Sequence, residues 1–201
     1  MGQGADVLVV GVPFGRVPGL RPVVERLPAD VVVADTSNCL PQRDGRIEEI
    51  EGGRRQGPWI EERLGRPVVR AWNALVQTTL AAEGRPAGAA GRLAVPVAGT
   101  DPAARKLVME LVDDTGFDPV DAGTADDAWR MQARTPAYCT DLDARQLRRA
   151  LTLADPEAAR VRREAVPAVI GSWAPDDRTF EDIVALNRAA PGLHRLLGEH
   201  V

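Results

Sequence analysis

Few side chains in this sequence could carry acid–base, nucleophilic or metal chemistry unaided. The only histidines, His194 and His200, lie close to the C-terminus, where chain ends fray, so neither a histidine base nor a metal centre is expected. Carboxylates adjoin at Asp113 and Asp114, at Asp126 and Asp127, and at Asp176 and Asp177. Neighbours along a helix do not face one point, so these pairs read as solvated faces or helix starts rather than acid/base dyads. Ser37 and Ser172 lack a Gly-x-Ser-x-Gly frame, and Cys39 and Cys139 match no metal or redox spacing and read as free thiols. No catalytic residue and no metal ligand is assigned.

What remains is a pattern of polar exits from apolar runs. Val12-Pro13-Phe14-Gly15, Asp35-Thr36-Ser37-Asn38 and Ala71-Trp72-Asn73 each follow a short stretch that reads as a buried strand. In an open parallel sheet, ligands bind beyond the carboxyl ends of the strands. Amide-bearing and small residues there can hydrogen-bond a planar amide or a ribose while an aromatic closes over a ring. The same residue types dominate ordinary turns, and the spacing alone leaves both readings open.

The elements that must position these exits follow from the apolar pattern. Val7 to Val10, Val31 to Ala34, Val68 to Trp72, Leu93 to Gly99 and Phe117 to Ala122 read as about five strands. Runs without polar alternation indicate strands buried on both faces, hence a parallel sheet with crossover helices. Helices are expected over Pro18 to Leu27 and Trp59 to Leu64, the latter ended by Gly65, and after Asp101 and Pro102, with Leu107, Val108, Leu111 and Val112 on one face. Cys39 to Gly57 reads as a long polar loop, and Gly84 to Gly91 as a linker. Beyond Gly123 only helices are expected: Asp141 to Ala154, Pro156 until Pro167 interrupts it, and a last one carrying Phe180, Ile183 and Val184, begun by Asp176 or Asp177. These divide the chain into a sheet-bearing region, 1–124, and a helical extension, 125–201, covering one side of the sheet or a partner subunit.

Composition narrows the partners. With 201 residues, 44% of them hydrophobic, the chain can bury one sizeable core. Its 25 basic and 29 acidic residues are interspersed, giving a net charge of -4, so no basic field recruits nucleic acid or an anionic membrane. No apolar run approaches the roughly 18 residues of a membrane span, and no basic region leads into an apolar stretch at the N-terminus. A cytoplasmic protein acting on a small-molecule substrate is expected.

Several motifs also occur in the order typical of one family. Asp35-Thr36-Ser37-Asn38, Pro41 to Ile47, Val68 to Asn73, Ala98-Gly99-Thr100-Asp101, Gly116-Phe117 and Val120-Asp121-Ala122-Gly123 resemble the NADP oxidoreductases typified by the deazaflavin-dependent NADP reductase. The likeness covers roughly Ala5 to Tyr138. The family usually has Phe at the position of Trp72 and Pro-Leu at that of Thr124-Ala125, which leaves the second substrate open.

The resemblance implies an α/β fold with a partial Rossmann-like parallel sheet and a C-terminal helical extension. It implies NADP as cofactor, with a deazaflavin as possible co-substrate and a flavin or small carbonyl compound as other acceptors, and hydride transfer at the nicotinamide. Val12, Pro13, Phe14, Asn38, Ala71 and Asn73 would be the cofactor-binding residues, with Asn38 and Asn73 near the nicotinamide end. The family's Gly-x-Gly-x-x-Gly turn, which receives the pyrophosphate after the first strand, has no counterpart, since Gly2-Gln3-Gly4 precedes a strand and Gly84 to Gly91 opens no helix after one. The expectation is a chain whose Val7 to Val10 corresponds to the family's fourth strand, with activity impaired and an apolar edge that a homodimer would cover. The alternative is a non-catalytic fragment acting as an interaction or regulatory module.

Overall fold

The computed structural model describes residues 4–173 and 179–191. His194, His200, Asp176, Asp177, Gly2 and Gln3 lie outside these residues. Five strands, β1 (Val7–Val10), β2 (Val32–Asp35), β3 (Val69–Arg70), β4 (Ala94–Gly99) and β5 (Asp118–Asp121), form one sheet in the order β1-β2-β3-β4-β5. The helices are α1 (Arg21–Val24), α2 (Pro41–Asp44), α3 (Glu48–Glu51), α4 (Gln56–Leu64), α5 (Gln77–Ala82), α6 (Pro102–Asp114), α7 (Ala144–Thr152), α8 (Pro156–Ser172) and α9 (Phe180–Ala189). Two 3-10 segments, Phe14–Leu20 and Asp127–Met131, join them.

The α/β architecture follows the apolar runs, with one departure from a wholly parallel sheet. β1, β2 and β3 are mutually parallel, as are β4 and β5, but β3 meets β4 antiparallel, with Val69 opposite Gly99 and Arg70 opposite Ala98. The exits of β1, β2 and β3 therefore share one edge with the start of β4. An apolar run carries no information on strand direction, which is why the reversal was illegible.

Strand alternation divides the core. On one face, Ala34, Val69, Val95 and Val97 pack under Val108 and Val112 of α6 together with Phe117. The capping expected of α6 is present: the Asp101 carboxylate accepts from the Ala103 amide at 2.8 Å, and Pro102 opens the first turn. The other face carries two clusters. Val10 and Val33 pack with Phe14, Val17, Val24, Trp59, Ile60 and Leu64, whereas Ala94, Ala98 and Val120 pack with Met131, Leu142, Leu147 and Leu151. Each fully buried Leu contributes on the order of 2 kcal/mol, so α7 is held to the β4–β5 end mainly by Leu147 and Leu151. Between the two clusters sit Asp35 and Arg70, neighbours in register and both fully buried.

Local differences have local causes. The stretch Cys39 to Gly57 contains α2, α3 and the start of α4; four-residue helices are too short to show a periodicity. α4 ends at Gly65 in the left-handed conformation, φ 75°. α8 continues through Pro167, because burial of Ala159 and Val166 holds a helix that the missing amide alone would interrupt. α9 is capped by Thr179, whose hydroxyl exchanges hydrogen bonds with Asp182.

β1 pairs only with β2 among the described residues. α6 packs on β3, β4 and β5, leaving Val9 52% exposed. No helix among the described residues is long and apolar enough to cross a membrane.

Candidate functional site

The common exit edge opens into a cleft of about 580 Å³. Its floor comes from the exits of β2 and β3 and includes Thr36, Asn38, Trp72 and Asn73, and its far wall comes from Tyr138, Cys139, Ile170 of α8, and Ile183 and Asn187 of α9. The volume suits a ring-sized ligand.

Two asparagines tie the floor together. Asn38 Nδ2 donates to the Asn73 carbonyl at 2.7 Å. Asn73 Nδ2 donates to Asn38 Oδ1 at 3.0 Å and to the Met131 carbonyl at 3.1 Å. Because the Met131 carbonyl can only accept, the orientation of the Asn73 amide is fixed and its Oδ1 points elsewhere. That Oδ1 is buried without a partner, as is Asn187 Nδ2 across the cleft. An unmet buried polar atom costs about 1–3 kcal/mol, so two residues lining the cleft carry one unsatisfied acceptor and one unsatisfied donor, both turned away from it.

Beneath the floor, Asp35 and Arg70 fix the β2 exit. Arg70 Nε lies 3.4 Å from Asp35 Oδ2, and Arg70 Nη2 donates to the Ser37 carbonyl. The Ser37 hydroxyl and amide donate to the Asp35 carboxylate. Desolvation raises the Asp35 pKa, opposed by the Arg70 charge and the Ser37 hydrogen bonds. Desolvation likewise lowers that of Arg70. Ala98, opposite Arg70, is small enough to leave space for the guanidinium.

The walls are laced to this floor. The Cys139 amide donates to the Ala74 carbonyl at 2.7 Å. Arg162 Nε donates to the Arg134 carbonyl, and Arg188 donates to the carbonyls of Thr140 and Asp141, anchoring α8 and α9. Trp72, Arg134 and Cys139, all lining the cleft, have φ of 59°, 79° and 50°. Such left-handed residues other than glycine carry strain of about 1–3 kcal/mol. Burial pushes the Cys139 thiol up to about 12 and raises the Tyr138 phenol as well, so neither ionises near neutrality.

Of the residues expected at the cofactor, Asn38 and Asn73 are brought together in this cleft. Ala71 is fully buried beside them at the β3 exit. The first exit is set apart: Val12 is half-buried and Pro13 exposed, neither lining the cleft. Phe14 is fully buried, stacked on Trp59 at 4.9 Å between ring centroids, because the 3-10 segment it opens turns the ring inward. Ile183 and Asn187 went unassigned in the sequence, although they lie four apart and so share one helix face with Phe180. Among the described residues no cluster of His, Cys, Asp and Glu could hold a metal. A second cleft, of about 620 Å³, lies at α5 and α9 around Thr79, Glu83, Asp141 and Arg188, away from the exits of β1 and β2.

No family model matches the chain. The Escherichia coli (strain K12) "Putative protein YjhV" is 45% identical over 104 residues, which are 52% of this chain and 75% of that protein. The crystal structure of the hypothetical protein SMa0349 from Sinorhizobium meliloti is similar at TM-score 0.55 and 29% identity, over 64% of this chain and 62% of that one. A structure from Arthrobacter sp. fb24, described as a "putative f420 dependent nadp-reductase", is similar at TM-score 0.50 and 25% identity, over 62% of this chain and 58% of that one. The chain thus spans about six tenths of the length of the solved structures it matches.

Proposed function

The chain belongs to the family of the Escherichia coli protein YjhV, and we propose that it acts in NADP-dependent hydride transfer, taking a planar ring with an amide or imide edge into the cleft at the exits of β2 and β3. The observation that carries this reading is the pair of unmet buried groups, Asn73 Oδ1 and Asn187 Nδ2, in one cleft. A carboxamide, or the dione edge of a deazaflavin or flavin, presents both the donor and the acceptor that would satisfy them. Engaging them requires each side chain to turn into the cleft, with Asn73 exchanging its bond to the Met131 carbonyl for the ligand. The likeness to the Arthrobacter structure supports the reductase class.

The ring end of a nicotinamide cofactor fits these residues; the phosphate end has no Gly-x-Gly-x-x-Gly turn within the 201 residues. NADPH, when bound, supplies the hydride. The protein supplies position and dryness: Asn38 and Asn73 orient the ring edge, Ile170 and Ile183 exclude water, and the Asp35–Arg70 pair keeps the β2 exit in place. No protein acid or base is required, in keeping with the high pKa values of Tyr138 and Cys139.

Calorimetry of the 201-residue chain with NADPH tests the cofactor side. Binding weaker than about micromolar is expected without a Gly-x-Gly-x-x-Gly turn, and micromolar affinity would show that another part of the chain grips the phosphates. Supplying NADPH in excess with a 5-deazaflavin, a flavin and a small aldehyde in turn then identifies the acceptor by loss of nicotinamide absorbance.

A further inference from the structure

A third cavity lies where the N-terminus of α8 meets the loop before α4. It encloses about 420 Å³, and its walls include Arg55, Gln56, Trp129, Gln132, Asp155 and Arg163. We infer that it is a binding site for a small multivalent oxyanion, a phosphate or polycarboxylate group, held by Arg55, Gln132 and the start of α8.

Three independent features converge there. Arg55 stacks over the Trp129 ring with its guanidinium carbon 4.6 Å from the centroid and makes no ion pair among the described residues. The other arginines are committed: Arg54 to Glu49 and Glu62, Arg160 to Glu157, and Arg163 to Glu51 at 3.8 Å. The Asp155 carboxylate is occupied as the α8 cap, accepting from the Ala158 amide at 2.7 Å. Once these partners are matched, Arg55 is the lining cation without an ion pair within 4 Å, held on a flat aromatic support, with the Asp127 carboxylate near enough to feel its charge.

Gln132 supplies the second feature. The residue is 8% exposed, it lines the cavity, and its Nε2 is buried without a partner. A buried amide donor is costly to leave unmet, and an oxygen acceptor in the cavity would satisfy it once the amide turns toward it. The third is the start of α8, a helix of 17 residues whose N-terminal end faces the cavity and whose dipole favours negative charge there, part of which Asp155 and Glu157 already supply. A cation is disfavoured by Arg55 and the helix end together, and an apolar ligand would leave Gln132 Nε2 unmet. This cavity shares no lining residue with the cleft at the strand exits, although Gln56 of its wall accepts from the Cys39 amide beside Asn38.

The test is calorimetric titration of the full chain with inorganic phosphate, with citrate, and with acetate as a monovalent comparison. Saturable binding is expected for phosphate or citrate, tighter than for acetate, and weakened about tenfold by either Arg55→Ala or Gln132→Leu, each of which removes a hydrogen bond to a charged group. Arg85→Ala, in the cavity at α5, should leave it unchanged. Circular dichroism confirms that each variant is folded; a variant that fails to fold is replaced by Arg55→Gln or Gln132→Met. Absence of saturable binding to phosphate and citrate, or binding that folded variants at both positions leave unaltered, would overturn the assignment.

Discussion

Asn38 and Asn73 hold each other: each side-chain amide donates to the other residue, at 2.7 and 3.0 Å. The pair bridges the exits of two neighbouring strands across 35 positions of sequence, and its consequence is a floor whose two halves cannot move apart separately. An Asn38→Ala substitution removes both bonds of that bridge and leaves the Asn73 carbonyl short of a donor. A loss of about 1–3 kcal/mol in denaturant unfolding is expected; an unchanged midpoint would mean that the bridge contributes nothing.

The pair below the floor makes a sharper prediction. Asp35 and Arg70 are both fully buried, so Arg70→Met strands a buried carboxylate and should cost about 3–5 kcal/mol, whereas Asp35→Leu with Arg70→Met together should cost less than Arg70→Met alone. Chemical denaturation of the two variants checks this. A double variant less stable than the single one would contradict the account of Arg70 as compensating charge.

Close packing sets a third. An added Cβ at Gly57 would stand 2.1 Å from the Ala125 carbonyl oxygen, so α4 and the segment after β5 must part to admit it. Gly57→Ala is expected to destabilise the protein by about 1–3 kcal/mol despite alanine's better helix propensity. A gain in melting temperature would show that the approach is not tight.

The thiols give a pH dependence. Burial raises Cys39 from 9.0 to about 11 and Cys139 from 9.0 to about 12, so the folded chain retains these protons when the unfolded chain releases them. The resulting stability is present below pH 9 and declines as pH rises from about 9 to 12. Both thiols should react slowly with a disulfide reagent at pH 8 and at once after unfolding. Rapid reaction of the native protein at both positions would contradict the burial.

Much of this fold was legible and some was not, for physical reasons. Val7 to Val10, Val31 to Ala34 and Leu93 to Gly99 declare strands because unbroken apolar runs have few other uses, and α6 declares itself through Asp101, Pro102 and its stripe. The antiparallel meeting of β3 and β4 left no trace, since two residues, Val69 and Arg70, cannot encode direction. Asn38 and Asn73 were legible as amides at exits; Asn187 was not, because a polar residue on an amphipathic helix gives no sign of which cleft its neighbours cover. Phe14 looked available at an exit and is core, its ring committed to Trp59.

The outer edge of β1, unpaired among the described residues, bears on association. Val9 is 52% exposed on an edge strand, and such edges template pairing with another chain. Self-association that rises with concentration in sedimentation is expected, and Val9→Lys should reduce it. A wild-type chain monomeric at high concentration would contradict pairing through β1.

The most direct test of the cleft as the ring site is titration of the chain with a 5-deazaflavin followed by NMR, comparing wild type with Asn73→Leu and with Arg85→Ala in the cavity at α5. The account predicts saturable binding that perturbs Asn38, Trp72 and Asn187, weakens about tenfold in Asn73→Leu and is unchanged in Arg85→Ala. Equal affinity in wild type and folded Asn73→Leu, or shifts confined to the cavity around Asp141 and Glu83, would contradict it.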